Sequence, residues 1–421
     1  MPAVCLFILA TLHAPTSGAA LLDDIQHRAV NFFWNESNPK TGFAKDRASN
    51  FEKSDKYDVA SCASTGFALA AYPIGVERKW LDREKAKERT LTTLRSLLDV
   101  HEGHKGWYYH FTNWETGKRV WNSELSSIDS SILFGGVIAS ERYWKDKQVS
   151  ELADRLLKRV DFKWMMTDGG AKPEEGIFSM GWRPDTGFIE SRWSGYSEEK
   201  MLYLQAYGLV PSLANHGFDK TNRQEKSYKG IDFLNGGPLF IHQMSESFYS
   251  FSDLRDKRGY NYWVSTHNAI LANRQYCIDN PGKFKGYGPN FWGLSACDTP
   301  DGYKALGAPG WIDDNGTITP TSAVAGMPYT PKESTAFLES MLKEHPKAWG
   351  RYGFSNGVNP SRDWVDPDVI GIDLGMMLLA VENARTGMIW KLSSSYPAIK
   401  VGYERMGFRK VAGSNRGKLR E

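Results

Sequence analysis

The chain has 421 residues, a formal net charge of +3 and 13% aromatic residues, 15 of them Trp. The charge is spread along the sequence, which points to neither nucleic acid nor an anionic membrane, while so many rings exceed what a core needs and favour carbohydrate, a ligand bound by stacking. The cysteines lack metal-ligand spacing, and no later stretch reaches the ~20 apolar residues of a membrane span.

Residues 1–20 read as a secretory leader, with Val4 to Leu12 apolar and Ser17-Gly18-Ala19-Ala20 supplying small residues for cleavage. Export to a periplasm or to the exterior follows from that reading. Cys5 would leave with the leader, and Cys62, Cys277 and Cys297 leave room for one disulfide. Residues 21–390 form a single domain, followed by a basic tail at 391–421 that packs in part and frays at its end.

Apolar periodicity predicts helix after helix and little strand. Leu21 to about Trp34 is amphipathic, whereas about Asp58 to Tyr72 has no polar face. About Asp82 to Leu98 is amphipathic again, and about Ser127 to Tyr143 is apolar and small throughout. About Gln148 to Trp164 carries one apolar stripe, and a buried run follows Glu198. The second half adds outer helices near Glu225–Leu234, Ser265–Asp279 and Lys332–Glu344. Inner pieces fall near His242–Leu254, Thr321–Gly326 and Val369–Arg385. A helix apolar all round lies inside, and one with a single stripe lies outside. Twelve helices in six such pairs predict an all-α fold, an (α/α)6 toroid.

In such a ring the inner helices run parallel and open their N-termini on one rim. The segments before them carry Glu124 and Asp129, then Trp193 to Glu198, then His242, Asp298, Asp301, Trp364 and Asp373. Trp193 and Tyr196 can stack on sugar faces, and a carboxyl lodged beside such rings has a raised pKa, as a general acid needs. Each residue also has a plain structural reading. Ser197 can be an N-cap with two glutamates in the first turn, and Asp129 the acidic member of a capping box. Asp298 and Asp301 can make turns, His242 can be a packed polar residue, and Asp373 a hydrogen-bonded core acid. No zincin histidine pair, phosphate-binding glycine loop or Gly-x-Ser-x-Gly elbow occurs. Neither a metal nor another cofactor is called for, and two-carboxylate chemistry remains.

Several segments together resemble one family: Ser61-Cys62-Ala63-Ser64-Thr65-Gly66-Phe67, Trp121-Asn122-Ser123-Glu124-Leu125-Ser126-Ser127-Ile128-Asp129-Ser130, Gly195-Tyr196-Ser197-Glu198, Gly237-Pro238-Leu239-Phe240-Ile241-His242-Gln243, Gly293-Leu294-Ser295-Ala296-Cys297-Asp298, and Ile372-Asp373-Leu374-Gly375 with Glu382-Asn383-Ala384-Arg385-Thr386-Gly387. The chain resembles the glucoamylase-like family of secreted bacterial proteins, which includes the endo-β-1,2-glucanases of glycoside hydrolase family 144. The resemblance implies an (α/α)6 toroid and cleavage of β-1,2-glucan with inversion to sophorose and short sophorooligosaccharides. It implies Glu198 as the acid of a Tyr-x-Glu motif and Asp129 as the pocket aspartate of Ser-x-Ile-Asp. One departure is Val264-Ser265-Thr266 after Asn261-Tyr262-Trp263, where family members often carry Glu-Asn-Ser.

The water-activating base is Asp373, with Asp129 as its rival, and an inverting pair stands ~6.5–9.5 Å apart. Glu124, Trp193, Tyr196, His242, Asp298, Asp301 and Trp364 are the candidates for holding sugar. The expected partner of this monomer is a glucan chain, with no nucleic acid and no membrane. The rival readings are an exo-acting or other-linkage β-glucosidase-type hydrolase of the same fold, and a non-catalytic glycan-binding protein.

Overall fold

The computed structural model describes residues 18–53, 56–213, 215–309, 313–411 and 417–420. The leader reading up to residue 17, including Cys5, lies outside them. Cys62, Cys277 and Cys297 are buried free thiols.

Six buried helices follow one another round a closed circuit. Cys62–Glu77 packs on Ser127–Trp144, which packs on Lys200–Leu209; that helix meets Phe240–Phe248. The Gln243 side chain of Phe240–Phe248 donates to the Ser322 carbonyl of Pro320–Val324 at 2.8 Å. Pro320–Val324 packs on Gly371–Thr386, which returns to Cys62–Glu77. Buried polar side chains stitch neighbours together: the Ser140 hydroxyl donates to the Leu69 carbonyl, and Gln205 exchanges two hydrogen bonds with Ser131. Where the first two helices cross, a Cβ on Gly136 would stand 2.0 Å from the Gly66 carbonyl oxygen, so the backbones touch directly.

Helices with one apolar stripe cover this circuit. Gly18–Asn35 packs on Cys62–Glu77 and Gly371–Thr386, and Arg83–Asp99 lies beside Lys147–Lys158. In Lys147–Lys158 only Val149, Ala153, Leu156 and Leu157 are buried, at helical spacing. Tyr262–Asp279 packs on Phe240–Phe248, and Pro331–Glu344 on Pro320–Val324. The stripe expected over 148–164 breaks at Arg159, and Asp161 caps a second short helix, Phe162–Met166.

One expected outer helix is absent. Residues 225–234 form an antiparallel hairpin, Glu225–Tyr228 with Ile231–Leu234, turning on Lys229 and Gly230, both at positive φ. The place beside Lys200–Leu209 is filled instead by Pro397–Arg405, from the segment read as a basic tail. Backbones touch there as well: a Cβ on Gly208 would lie 1.9 Å from the Ala398 carbonyl oxygen, and one on Gly402 2.2 Å from that of Leu204. Arg405 donates to the Tyr207 and Val210 carbonyls, capping the inner helix where its own carbonyls lack partners. Among the described residues no strand exceeds four residues, and three strands, Val59–Ser61, Leu125–Ser126 and Asp368–Ile370, run directly into an inner helix.

Candidate active site

Two cavities mark the two ends of the inner helices. The larger, about 600 Å³, is lined by last-turn residues such as Glu77, Arg142, Tyr143 and Thr386. Its acid Glu382 is bound by Arg78 at 2.8 Å and by Gln26 at 2.9 Å, and its other acid, Glu77, accepts the Tyr143 hydroxyl at 2.8 Å. The other, about 310 Å³, lies where the inner helices begin and gathers Asp46, Arg47, His110, Asp129 and Glu198 among Phe111, Ile128, Phe240, Tyr303, Ile370 and Ile372. Three acids meet here with an arginine and a histidine, so this is the candidate site.

Glu198 sits one residue before the cap of Lys200–Leu209. The expected capping scheme shifts by two residues: Glu199, not Ser197, is the N-cap, and its carboxylate accepts the Ser197 N–H at 2.6 Å. Glu198 is therefore not spent on the helix. Its carbonyl accepts the Ser245 hydroxyl at 2.5 Å, and its carboxylate accepts the Ser197 hydroxyl. Burial pushes its pKa up; the Ser197 hydrogen bond opposes that and the Asp129 charge adds to it.

Asp129 occupies the first turn of Ser127–Trp144 and does the capping expected of it. Its N–H donates to the Ser126 hydroxyl at 3.2 Å, which in turn donates to its carboxylate at 2.5 Å. The same carboxylate oxygen lies 3.6 Å from Nε2 of His110, whose Nδ1 is 3.1 Å from Glu124. Burial works against charge on His110, but Asp129 and Glu124 outweigh it and lift the imidazole to about 9. Glu124 is held down to about 2, first by its His110 hydrogen bond. It also meets Arg183 at 3.1 Å, so both carboxylate oxygens of Glu124 are engaged by protein groups.

Asp373 is buried between Ile372 and the helix it opens, accepting Asn356 Nδ2 at 2.6 Å. Burial pushes it up to about 7, with the charges of Asp298 and Asp46 adding. The Asn356 carbonyl oxygen accepts the Asp298 N–H at 2.8 Å, so one amide ties Asp298 and Asp373 together. Arg47 closes the wall, meeting Asp298 at 2.7 Å and Asp46 at 3.3 Å.

Of the ten sequence candidates only Glu198 and Asp129 line the cavity; Glu124, Asp298 and Asp373 are bound to or next to residues that do, and five lie elsewhere. Trp193 is buried, its indole N–H donating to Ser127 at 2.8 Å. Tyr196 is buried too, its ring parallel to Tyr262 at 5.8 Å with the Lys200 ammonium 4.5 Å from its centroid. Neither ring has a face free for sugar, because both wedge the Glu198 loop against neighbouring helices. His242 lies 3.0 Å from the Tyr196 hydroxyl and is pushed down to about 3 by burial, a packed neutral imidazole. Asp301 makes the exposed turn of the hairpin Ala296–Thr299 and Gly302–Ala305 and faces Arg362 at 3.5 Å. Trp364 lines a separate cavity of about 460 Å³.

Sequence reasoning passed over Asp46, Arg47, His110, Phe111 and Tyr303. They stand on short strands and turns between helices, where periodicity carries no signal. The usable clue was charge in an otherwise apolar setting, as in Lys45-Asp46-Arg47, which enters a buried strand.

Residues 190–397 match a family model described as "Putative glucoamylase". The chain is 27% identical to the exo beta-1,2-glucooligosaccharide sophorohydrolase (non-reducing end) of Parabacteroides distasonis over 93% of its own length, and it spans 58% of that longer protein. It superposes on the endo-beta-1,2-glucanase from Chitinophaga pinensis, solved with sophorotriose and glucose, with a TM-score of 0.85 and 26% identity, covering 94% of this chain and 99% of that one. A Bacteroides uniformis structure that carries the family model's description matches with a TM-score of 0.86 and 28% identity over 94% of this chain and 99% of that one.

Proposed function

The chain is glucoamylase-like, and from that premise we propose that it is an inverting glycoside hydrolase that cleaves β-1,2-glucan internally to sophorose and short sophorooligosaccharides. The observation that carries this reading is Glu198: a carboxyl whose pKa burial raises, free of helix capping, on the wall of a cavity it shares with Asp129 and His110. Linkage and substrate come from likeness to the β-1,2-glucan enzymes. Internal cleavage is supported by likeness to the Chitinophaga endo-glucanase, and the likeness to an exo-acting sophorohydrolase supplies the alternative mode. We read the circuit of six buried helices and its outer cover as an (α/α)6 toroid, which sets every inner N-terminus on one rim. The leader-like residues 1–20 support export of the mature chain to a periplasm or to the exterior.

In this mechanism Glu198 gives its proton to the glycosidic oxygen as the bond to the anomeric carbon breaks. A second carboxylate takes a proton from water attacking the opposite face of the sugar. Asp373 and Asp129 are the two carboxylates available for that step. The leaving chain keeps its new hydroxyl, and the sugar that accepts water inverts from β to α. The test is to incubate protein starting at Leu21 with linear β-1,2-glucan and follow products by chain length and anomer. Short oligosaccharides of mixed length with the α-anomer appearing first are expected. Sophorose alone from the outset would make the enzyme exo-acting, and a β-anomer would make it retaining.

A further inference from the structure

The cavity holding Glu198 is at the small end of ligand pockets, about 310 Å³ against roughly 300–1,000 Å³ for such sites, so a longer glucan must continue beyond it. Two of the most exposed large apolar side chains among the described residues stand where it would emerge: Trp121, 66% exposed, and Tyr303, 58% exposed. Tyr303 lines the cavity itself. Trp121 packs edge-on against Phe111, with centroids 5.1 Å apart, and Phe111 lines the cavity and stacks on His110 at 3.7 Å. An aromatic path thus runs from the reacting centre to solvent.

Neither ring is exposed for want of structure around it. Trp121 and the next residue, Asn122, both have positive φ, at 56° and 51°, a region that L residues avoid. Two arginines hold the loop in this form. Arg119 donates to the Ser123 carbonyl at 2.5 Å and to the Asn122 carbonyl at 2.7 Å, and Arg183 reaches the same Asn122 carbonyl at 3.3 Å. Strained backbone so firmly held is characteristic of functional positions. Tyr303 pairs in register with Asp298, whose carboxylate is bound by Arg47 and whose N–H is bound by Asn356. Both rings are fixed to the walls that carry the acids.

We propose that Trp121 and Tyr303 are stacking platforms for glucosyl rings of a substrate chain that extends past the cavity mouth. Trp121 would bind a part of the glucan remote from the scissile linkage, and Tyr303 the ring at which the chain leaves the cavity. Resting on the β-1,2-glucan reading above, this inference adds subsites that select for chain length.

The test compares kcat/KM on long linear β-1,2-glucan with kcat/KM on the shortest sophorooligosaccharide that is cleaved, in wild type, Trp121→Ala, Tyr303→Ala and Trp121→Phe. The long-to-short ratio should fall about tenfold in Trp121→Ala, equivalent to ~1.4 kcal/mol of lost binding, whereas Tyr303→Ala, on the cavity wall, should weaken the short substrate as well. Trp121→Phe, which keeps a ring, should recover most of the loss. In Trp121→Ala, a ratio equal to wild type, or equal losses on both substrates, overturns the proposal. Titration of long glucan into Glu198→Gln and into Glu198→Gln/Trp121→Ala reads the same contact without turnover, and equal affinities overturn it too. A dimer lost in Trp121→Ala, with the ratio unmoved, would assign the ring to self-association instead. Wild type that binds the long glucan but cleaves none contradicts the hydrolase reading alone; failure to bind it as well ends both.

Discussion

Two carboxyls a few residues from helix starts have opposite work to do, and their surroundings separate them. Glu198 is pushed up by burial, so an acid that must carry its proton loses activity as pH rises through that raised pKa. The base must be ionised, so its limb is lost as pH falls. Asp373, at about 7, would place that limb of the kcat/KM profile near pH 7. A limb there that disappears in Asp373→Asn assigns Asp373 as the base, and one that survives the substitution excludes it. The motif around Glu198 was legible because an acid before an unbroken apolar run is conspicuous. The roles of Trp193 and Tyr196 were not. Whether a ring meets sugar or core depends on the Ser127 hydroxyl, Tyr262 and Lys200, and two of these three are remote in sequence.

At the scale of elements, hydropathy alone separated inner from outer helices, because a helix with no polar face has only one place to go. It failed at 225–234, where Lys229-Gly230 makes a hairpin turn and the expected helix is two strands. It also understated the segment after 390, whose charges mask a helix that buries only Ile399 and Gly402. That helix is held by backbone contact, which hydropathy does not register. Gly208→Ala and Gly402→Ala should each destabilise the fold by about 1–3 kcal/mol, since an added methyl meets a carbonyl oxygen that belongs to the facing helix. Lower urea midpoints with unchanged slopes are expected. Midpoints equal to wild type would mean the two helices are not in contact in solution.

Across the whole molecule, Ser127–Trp144 and Gly371–Thr386 line one cavity with their first turns and another with their last, and Glu198, which makes no ion pair among the described residues, stands in the first. Chemistry is therefore confined to one rim although the residues come from positions 46 to 372. Carboxylates spread so widely along a chain meet only if the circuit of helices closes, which is why spacing alone could nominate Glu198, Asp129 and Asp373 but could not rank them. The most direct measurement is turnover of linear β-1,2-glucan by wild type and by Glu198→Gln at the same pH. Loss of about 10²- to 10⁴-fold in kcat, with glucan binding and the thermal midpoint retained, is the predicted result for a general acid. Turnover that survives the substitution would contradict the account, because the proton would then reach the leaving oxygen from another group.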